Sequence, residues 1–315
     1  MNLATMDYFC ALADELSFTH AATRLHVTQQ TLSAHIAQVE RELGVKLVNR
    51  TVPLSLTYAG TVFLGYAQRF QAERRALEQE FADIAGDERG LLAVGIGSTR
   101  GHLMLPKAIA TFRRQRPGVD VRIEEGENEE IVEALRTGRI DMAVATVPEG
   151  MGGIEVRPLR SEQVVLLVSY ELLRAQYGEM ADAIALEASQ AHDLRPLADC
   201  PFLMLGRNDQ EGDISRRLVA RSGIDAHVAV LSENSETLVE LATQGVGACF
   251  VEMGVVRSTL GERRMTDMCV VDLGPEARIE VQIAWRSSGH VWSVIKSFAD
   301  LLCEQAGEAL SGEGL

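Results

Sequence analysis

Residues 17–44 read SFTHAATRLHVTQQTLSAHIAQVERELG. Ser17 suits a helix N-cap, and Phe18, Ala21, Ala22 and Leu25 follow at spacings of three and four. A turn is expected at His26 and Val27. Thr28 suits a second N-cap, and Leu32, Ile36, Val39 and Leu43 form the apolar stripe of a second helix. Gly44 is placed to stop it. The polar residues of this helix, Gln29, Gln30, Thr31, Ser33, His35 and Gln38, can donate to or accept from base edges and phosphates. The small pair Ala21-Ala22 lets the two helices approach closely. The pattern predicts a helix-turn-helix whose second helix can lie in a DNA major groove. Helix pairs with polar outer faces are also common in proteins that bind no nucleic acid, so the flanking sequence has to decide.

Upstream, Leu3, Met6, Phe9, Cys10, Ala13 and Leu16 predict an amphipathic helix that closes a small core. Downstream, VKLVNRTVPLSLT (45–57) predicts a short two-stranded wing. Arg50, near its start, is the best cation for phosphates or a narrow minor groove. From Thr57 to about Ala85 the chain turns helical. Phe63, Phe70, Leu77 and Ile84 recur every seven residues, with Ala67, Arg74 and Phe81 between them. That repeat predicts a helix–helix seam, most simply a dimer coiled coil, with packing on its own domain as the alternative. Residues 86–90, GDERG, read as a linker.

From Leu91 strands and helices alternate. LLAVGIG, VDVRIEEG and IDMAVATV are strands, with helices expected from about His102 to Arg116 and from Glu129 to Thr137. A short segment near 154–159 leads into QVVLLVS, and the unit recurs through PFLMLG, HVAVLS and GACFVE. MCVVDLG and IEVQIAWR supply two late strands, and a last helix runs from Val291 to about Ala306. Alternation of this kind predicts α/β architecture, with a parallel sheet flanked by helices. Two similar halves with late strands left over predict two lobes and a cleft. AIALEASQAH (183–192) reads as an added helix of unassigned role, and residues 307–315 read as a disordered tail.

Bulk properties narrow the function. At 315 residues there is room for two or three domains, and 46% hydrophobic with 24% charged residues is ordinary globular composition. No stretch resembles a signal peptide or a membrane span, so a cytoplasmic location is expected. The five cysteines are scattered without a CxxC pair, and the histidines form no metal motif, so neither a disulfide framework, a metal nor a cofactor is expected. Net charge is −15, but residues 1–60 hold four cations against five carboxylates. Phosphate attraction is local and screened within ~10 Å, so the acidic bulk does not forbid DNA binding. It does predict a few placed contacts, duplicated in a dimer, rather than non-specific coating.

Helix-turn-helix, wing, long helix and two-lobed α/β unit in this order resemble the LysR-type transcriptional regulators over nearly the whole chain. Phe9, Ser17-Phe18, Ala21-Ala22, Leu25-x-Val27-Thr28-Gln29, Leu32-Ser33, Ile36, Glu40, Leu43-Gly44, Leu47, Arg50 and Leu56-Thr57-x-x-Gly60 all fit the family pattern. Gln30 departs from a frequent Pro or Ser, Ala34 from a long polar or basic residue, and Glu252 stands where a Pro is common. The resemblance implies a winged helix-turn-helix domain (1–57), a dimerisation helix and hinge (58–89) and a periplasmic-binding-protein-like effector domain (90–306). Its lobe I would comprise 90–161 and 267–306, and lobe II 162–266. The implied function is a homodimeric or homotetrameric regulator on double-stranded promoter DNA, with RNA polymerase a candidate partner. A small-molecule effector in the interlobe cleft would alter the DNA geometry. Carried over by position, Thr28, Gln29, Gln30, Thr31, Ser33, His35 and Arg50 would contact DNA, and Ser98, Thr99, Arg100, Thr146, Asn208 and Glu252 would face the effector.

Ser98, Thr99 and Gly101 lie between a strand and a helix start, where free N–H groups and hydroxyls hold anions, and Arg100 could add a charged pair. An anionic effector is therefore expected. Glu252 favours an amine or zwitterion if it lines the same cleft. Two rivals are weak. GIGSTRG (95–101) mimics a dinucleotide fingerprint, but Arg100 holds the third glycine's place. A redox switch would need a cysteine pair in the second lobe, and LGRNDQEGDISRRL (205–218) has no cysteine. No catalytic residue is assigned.

Overall fold

A computed structural model describes residues 3–86, 89–206, 209–287 and 290–312, with side chains to 307. Three helices, α1 (Leu3–Glu15), α2 (Phe18–Arg24) and α3 (Gln29–Leu43), open the chain. Ser17 Oγ accepts from His20 N at 3.3 Å and Thr28 Oγ1 from Thr31 N at 3.1 Å, which starts α2 and α3 where the caps predict. Gly44 ends α3 at φ +70°, a conformation that favours glycine. The wing is β1 (Val48–Asn49) against β2 (Ser55–Leu56), antiparallel, with Val48 opposite Leu56. The core joins Phe9, Leu12, Ala21, Ala22, Leu32, Ile36, Val39 and Leu47.

The long helix α4 (Tyr58–Ala85) begins at the Thr57 cap. Gly60 packs onto the wing so closely that a Cβ there would lie 2.0 Å from Leu47 O. The seven-residue repeat divides in two. Phe63 and Ala67 are buried in the winged-domain core, Phe63 edge-on to Phe9 at 4.9 Å, whereas Phe70, Leu77, Phe81 and Ile84 stay exposed. The first turns of α4 thus belong to the winged domain, and only the remainder of the repeat is free for a partner helix.

The α/β region contains β3 (Gly90–Ile96), α5 (Ser98–Gln115), β4 (Val119–Glu125), α6 (Asn128–Thr137), β5 (Met142–Ala145), β6 (Ile154–Ser169), α7 (Tyr170–Tyr177) and α8 (Ala181–Ala191). β7 (Phe202–Leu205), α9 (Gln210–Ser222), β8 (Val228–Ser232), α10 (Ser235–Thr243), β9 (Ala248–Glu252), α11 (Met253–Met265), β10 (Met268–Asp272), β11 (Arg278–Arg286) and α12 (Ser293–Gly312) complete it. Strand order is β4-β3-β5-β11-β6-β9-β7-β8, with β10 also on β6. The sheet is mixed rather than parallel. β11 runs antiparallel to β5 and β6, and β6 antiparallel to β9 and β10. The segment near 154–159 is no separate lead-in: β6 is one 16-residue strand serving both lobes. Residues 154–163 pair with β11 in lobe I, and 164–169 pair with β9 and β10 in lobe II.

Three expected boundaries shift. β10 pairs with Val165–Ser169, so 268–272 lies with lobe II, not lobe I. α5 starts at Ser98, four residues before His102, because extended Gly97 takes the cap position and its carbonyl accepts from Gly101 N at 2.7 Å. The helix α12 runs to Gly312, past the expected start of a disordered tail at 307, because Glu308, Ala309 and Leu310 are good helix formers. The added helix is α8, whose Ala181, Ala185 and Ala188 enter the lobe core while Ser189 Oγ accepts from Asp272 N at 3.1 Å. No helix among the described residues is long and apolar enough to cross a membrane.

Candidate effector cleft and DNA interface

The N-terminus of α3 presents Thr28, Gln29, Gln30 and Thr31 to solvent together. The remaining expected DNA contacts also engage protein partners: Ser33 and His35 are half-buried, and Arg50 is exposed. Ser33 is half-buried and accepts from Arg50 Nη1 at 3.3 Å. His35 sets its ring edge-on to Tyr8 at 4.9 Å. Arg50 lies over the Phe18 ring at 5.3 Å and 3.9 Å from Glu40, so it braces the base of the wing against α2 and α3. The exposed face of α3 instead carries Gln30, Thr31, Ala34, Gln38 and Arg41. Gln38 donates to Glu42 at 2.9 Å. Arg41 lies on this face because Leu32, Ile36 and Val39 are buried on the opposite side of α3.

Glu40 joins α3 to the wing. It is 3% exposed, and its Oε1 accepts from Leu47 N at 2.9 Å and Val48 N at 3.4 Å. Its Oε2 lies 3.0 Å from Lys46 Nζ. Burial works to raise its pKa, but the Leu47 amide and Lys46 outweigh it and hold the carboxyl below the usual range.

A cavity of about 180 Å³ lies between the lobes. Ser98, Thr99 and Arg100 from the first turn of α5 line it, and so does Glu252, the side-chain cap of α11. Ser98 and Thr99 hydroxyls make no hydrogen bond among the described residues, and the α5 cap, Gly97, has no side chain, so the two hydroxyls are available to a ligand. Thr146 is not on the wall. Its hydroxyl donates to Glu280 O at 2.9 Å, and its amide donates to Asn128 Oδ1. Asn208 lies outside the described residues.

Charge in this cleft runs against the expected anion. Seven carboxylates line it: Glu125, Glu127, Glu162, Asp209, Glu211, Glu233 and Glu252. Only two cations join them, and Glu162 engages both. Arg100 forms a fork to Glu162, with Nη2 at 2.8 Å from Oε2 and Nε at 3.1 Å from Oε1, and Arg160 Nη2 lies 2.6 Å from Oε1. Arg100 is therefore a fixed structural partner and not a free anion receptor. Burial works to raise Glu162, but Arg100 and Arg160 keep it below the usual carboxylate range.

Glu211, Glu252 and Glu127 move upward. Glu211 is pushed well above its ordinary value by burial, then by Asp209, Glu252 and Glu162. Burial raises Glu252 too, against the Gly254 and Val255 amides it accepts from. Burial, Asp209, Glu130 and Glu233 raise Glu127. These acids come from β4, the α6 and α11 caps, β6 and lobe II, which is why no local motif announced them.

Helix α6 links this cleft to α4. The N-cap of α6, Glu127, and its first residue, Asn128, line the cavity. At the other end, Gly138 O and Arg139 O accept from Arg75 of α4. Gly138, at φ +74°, abuts Ala72 so tightly that a Cβ there would meet the Ala72 Cβ at 2.3 Å. Gln79 donates to Asp141 at 3.0 Å, and Asp83 accepts from Ser293 N at 2.8 Å.

The thiols give a redox switch no support. Cys200 and Cys249 are fully buried, and burial raises both.

Comparison with known proteins agrees with this architecture. Residues 3–61 match the family profile described as "Bacterial regulatory helix-turn-helix protein, lysR family", and residues 85–307 match "LysR substrate binding domain". The chain is 28% identical over 313 residues to the HTH-type transcriptional regulator CatR of Pseudomonas putida, covering 97% of this chain and 100% of that one. It is 26% identical over 307 residues to the hydrogen peroxide-inducible genes activator of Pectobacterium carotovorum, covering 96% of each. Full-length OxyR C199D of Pseudomonas aeruginosa shares the fold at a TM-score of 0.69 and 24% identity, over 97% of this chain and 94% of that one. Neither profile describes an enzyme. The chain belongs to the LysR family of DNA-binding transcriptional regulators.

Proposed function

We propose that this regulator responds to a small amine, cationic or zwitterionic, bound between its lobes. The supporting observation is the cleft wall, where seven carboxylates face two arginines already held by Glu162. A buried ammonium would relieve the mutual repulsion of Glu211, Glu252 and Asp209, and an added carboxylate would worsen it. The free Ser98 and Thr99 hydroxyls at the α5 N-terminus suit a polar or carboxylate group at the other end of a zwitterion.

Binding would be transmitted through α6. Effector contact at Glu127 and Asn128 shifts a helix whose far end holds Arg75 and Ala72 of α4. Because α4 continues into the winged-domain core through Phe63 and Ala67, its movement reorients α3. The exposed Phe70, Leu77, Phe81 and Ile84 stripe pairs two copies, so two recognition helices address one operator. On each, Thr28, Gln29, Gln30 and Thr31 reach the groove, with Gln38 and Arg41 beside them. Arg50, exposed at the base of the wing, holds Ser33 and lies over Phe18.

Calorimetry with matched panels of diamines, amino acids and dicarboxylates tests the effector class. Saturable binding of amine-bearing compounds that is lost in Glu211→Gln and Glu252→Gln supports it. Binding confined to dicarboxylates overturns it.

A further inference from the structure

A second cavity, of about 620 Å³, lies where α1, α2 and α4 meet β4 and the turn after α6. Its chemistry is the reverse of the effector cleft. Five arginines line it: Arg24, Arg74, Arg75, Arg122 and Arg139. Its three carboxylates are each engaged by a different arginine. Asp14 holds Arg24 at 3.0 Å, Asp7 holds Arg74 at 3.1 Å and Glu124 holds Arg139 at 2.5 Å.

Arg75 and Arg122 have no carboxylate within ion-pair distance among the described residues. Arg75 donates only to the Gly138 and Arg139 carbonyls, and its Nε is buried without a partner. Arg122 Nη2 donates to the same Arg139 O at 3.1 Å, so two guanidinium groups share one carbonyl. Burial is the largest influence and disfavours the charge on Arg75; Asp141 favours it, and Arg122, Arg286 and Arg74 oppose it. In a chain of net charge −15, this concentration of cations is local and built.

We propose that this cavity binds a compact oxyanion of two or more negative charges, a phosphoester or a polycarboxylate, between Arg75 and Arg122. Guanidinium groups pair with such oxygens bidentately, and the carbonyls they now share would lose only part of their donors. Because the walls come from the winged domain, α4 and lobe I, occupancy would fix how the winged domain sits on its effector domain. The site is distinct from the amine cleft and does not depend on that reading.

Calorimetry on the full-length chain in chloride buffer tests this with pyrophosphate and citrate. One saturable site is expected, with Kd raised about tenfold or more in Arg122→Gln and in Arg75→Gln, as loss of a charge-assisted contact implies. Arg122 is exposed and makes one carbonyl contact, so its replacement keeps the fold even if Arg75→Gln loosens the α4–α6 joint. Arg41→Gln, on the DNA face, should leave binding unchanged. Binding of pyrophosphate alone, or of citrate alone, supports the site and identifies its ligand class. No saturable binding of either, affinity unchanged in both cavity variants, or affinity lost only in Arg41→Gln overturns it.

Discussion

Glu40→Ala removes the carboxylate that fastens the wing to the recognition helix. In the intact protein Glu40 Oε1 accepts from the Leu47 amide at 2.9 Å and the Val48 amide at 3.4 Å. Leu47 and Val48 are themselves buried, so water replaces the lost acceptor poorly. A buried donor left without a partner costs about 1–3 kcal/mol, and the longer Val48 contact counts at the low end. The wing should therefore open about 3 kcal/mol more easily, which is about a hundredfold in exchange rate. Glu40→Gln keeps a carbonyl oxygen for Leu47 and should lose only about 1 kcal/mol. Hydrogen exchange read by mass spectrometry on peptides spanning 45–57 measures this directly. Trp285 and Trp292 lie in the effector domain, and their fluorescence should not change. The pH sign follows from the depressed carboxyl. Its stabilisation is present above the unfolded value near 4.3 and is lost as pH falls through the lower folded value. The difference between wild type and Glu40→Ala should accordingly shrink in acid. Exchange of 45–57 in Glu40→Ala within about twofold of wild type would refute the fastening role.

Two further outcomes are expected. Leu77→Glu with Phe81→Glu places charge on the exposed stripe of α4, where each side chain would contribute about 1.5–3 kcal/mol on burial, so self-association measured by sedimentation should weaken at least about a hundredfold. An unchanged sedimentation profile would show that this face pairs nothing. In the amine cleft, Glu211, Glu252 and Glu127 keep protons above the ordinary carboxylate range, and a bound cation favours their ionised forms. Amine affinity should rise with pH through that raised range, with protons released on binding. Native stability takes the opposite sign: the raised carboxyls contribute fully below the unfolded value, and that contribution fades as pH climbs to the folded value. Calorimetry in two buffers of different ionisation enthalpy counts the released protons, and equal heats would contradict the coupling.

Residues 17–44 determined their own structure because the information is local. Ser17, Thr28 and Gly44 act within one turn of their own positions, and a spacing of three and four fixes which side chains share a helix face. The order of domains and the alternation of strand and helix were legible for the same reason. Tertiary structure decided what depends on contacts between distant segments. Packing of the α1–α3 core left Ser33 and His35 half-buried, with Ser33 held by Arg50 and His35 edge-on to Tyr8, while Arg41 stays exposed. The heptad of α4 could not say that Phe63 meets Phe9 while Phe81 meets solvent. Arg100 read as an anion receptor beside a helix start, until β6 carried Glu162 across from 62 positions away to close a fork on it. The sign of the cleft belongs to no stretch of sequence. It arises because folding gathers Glu125, Glu127, Asp209, Glu211, Glu233 and Glu252 around one space, and a charge has no ligand preference until its neighbours and its distance from water are set.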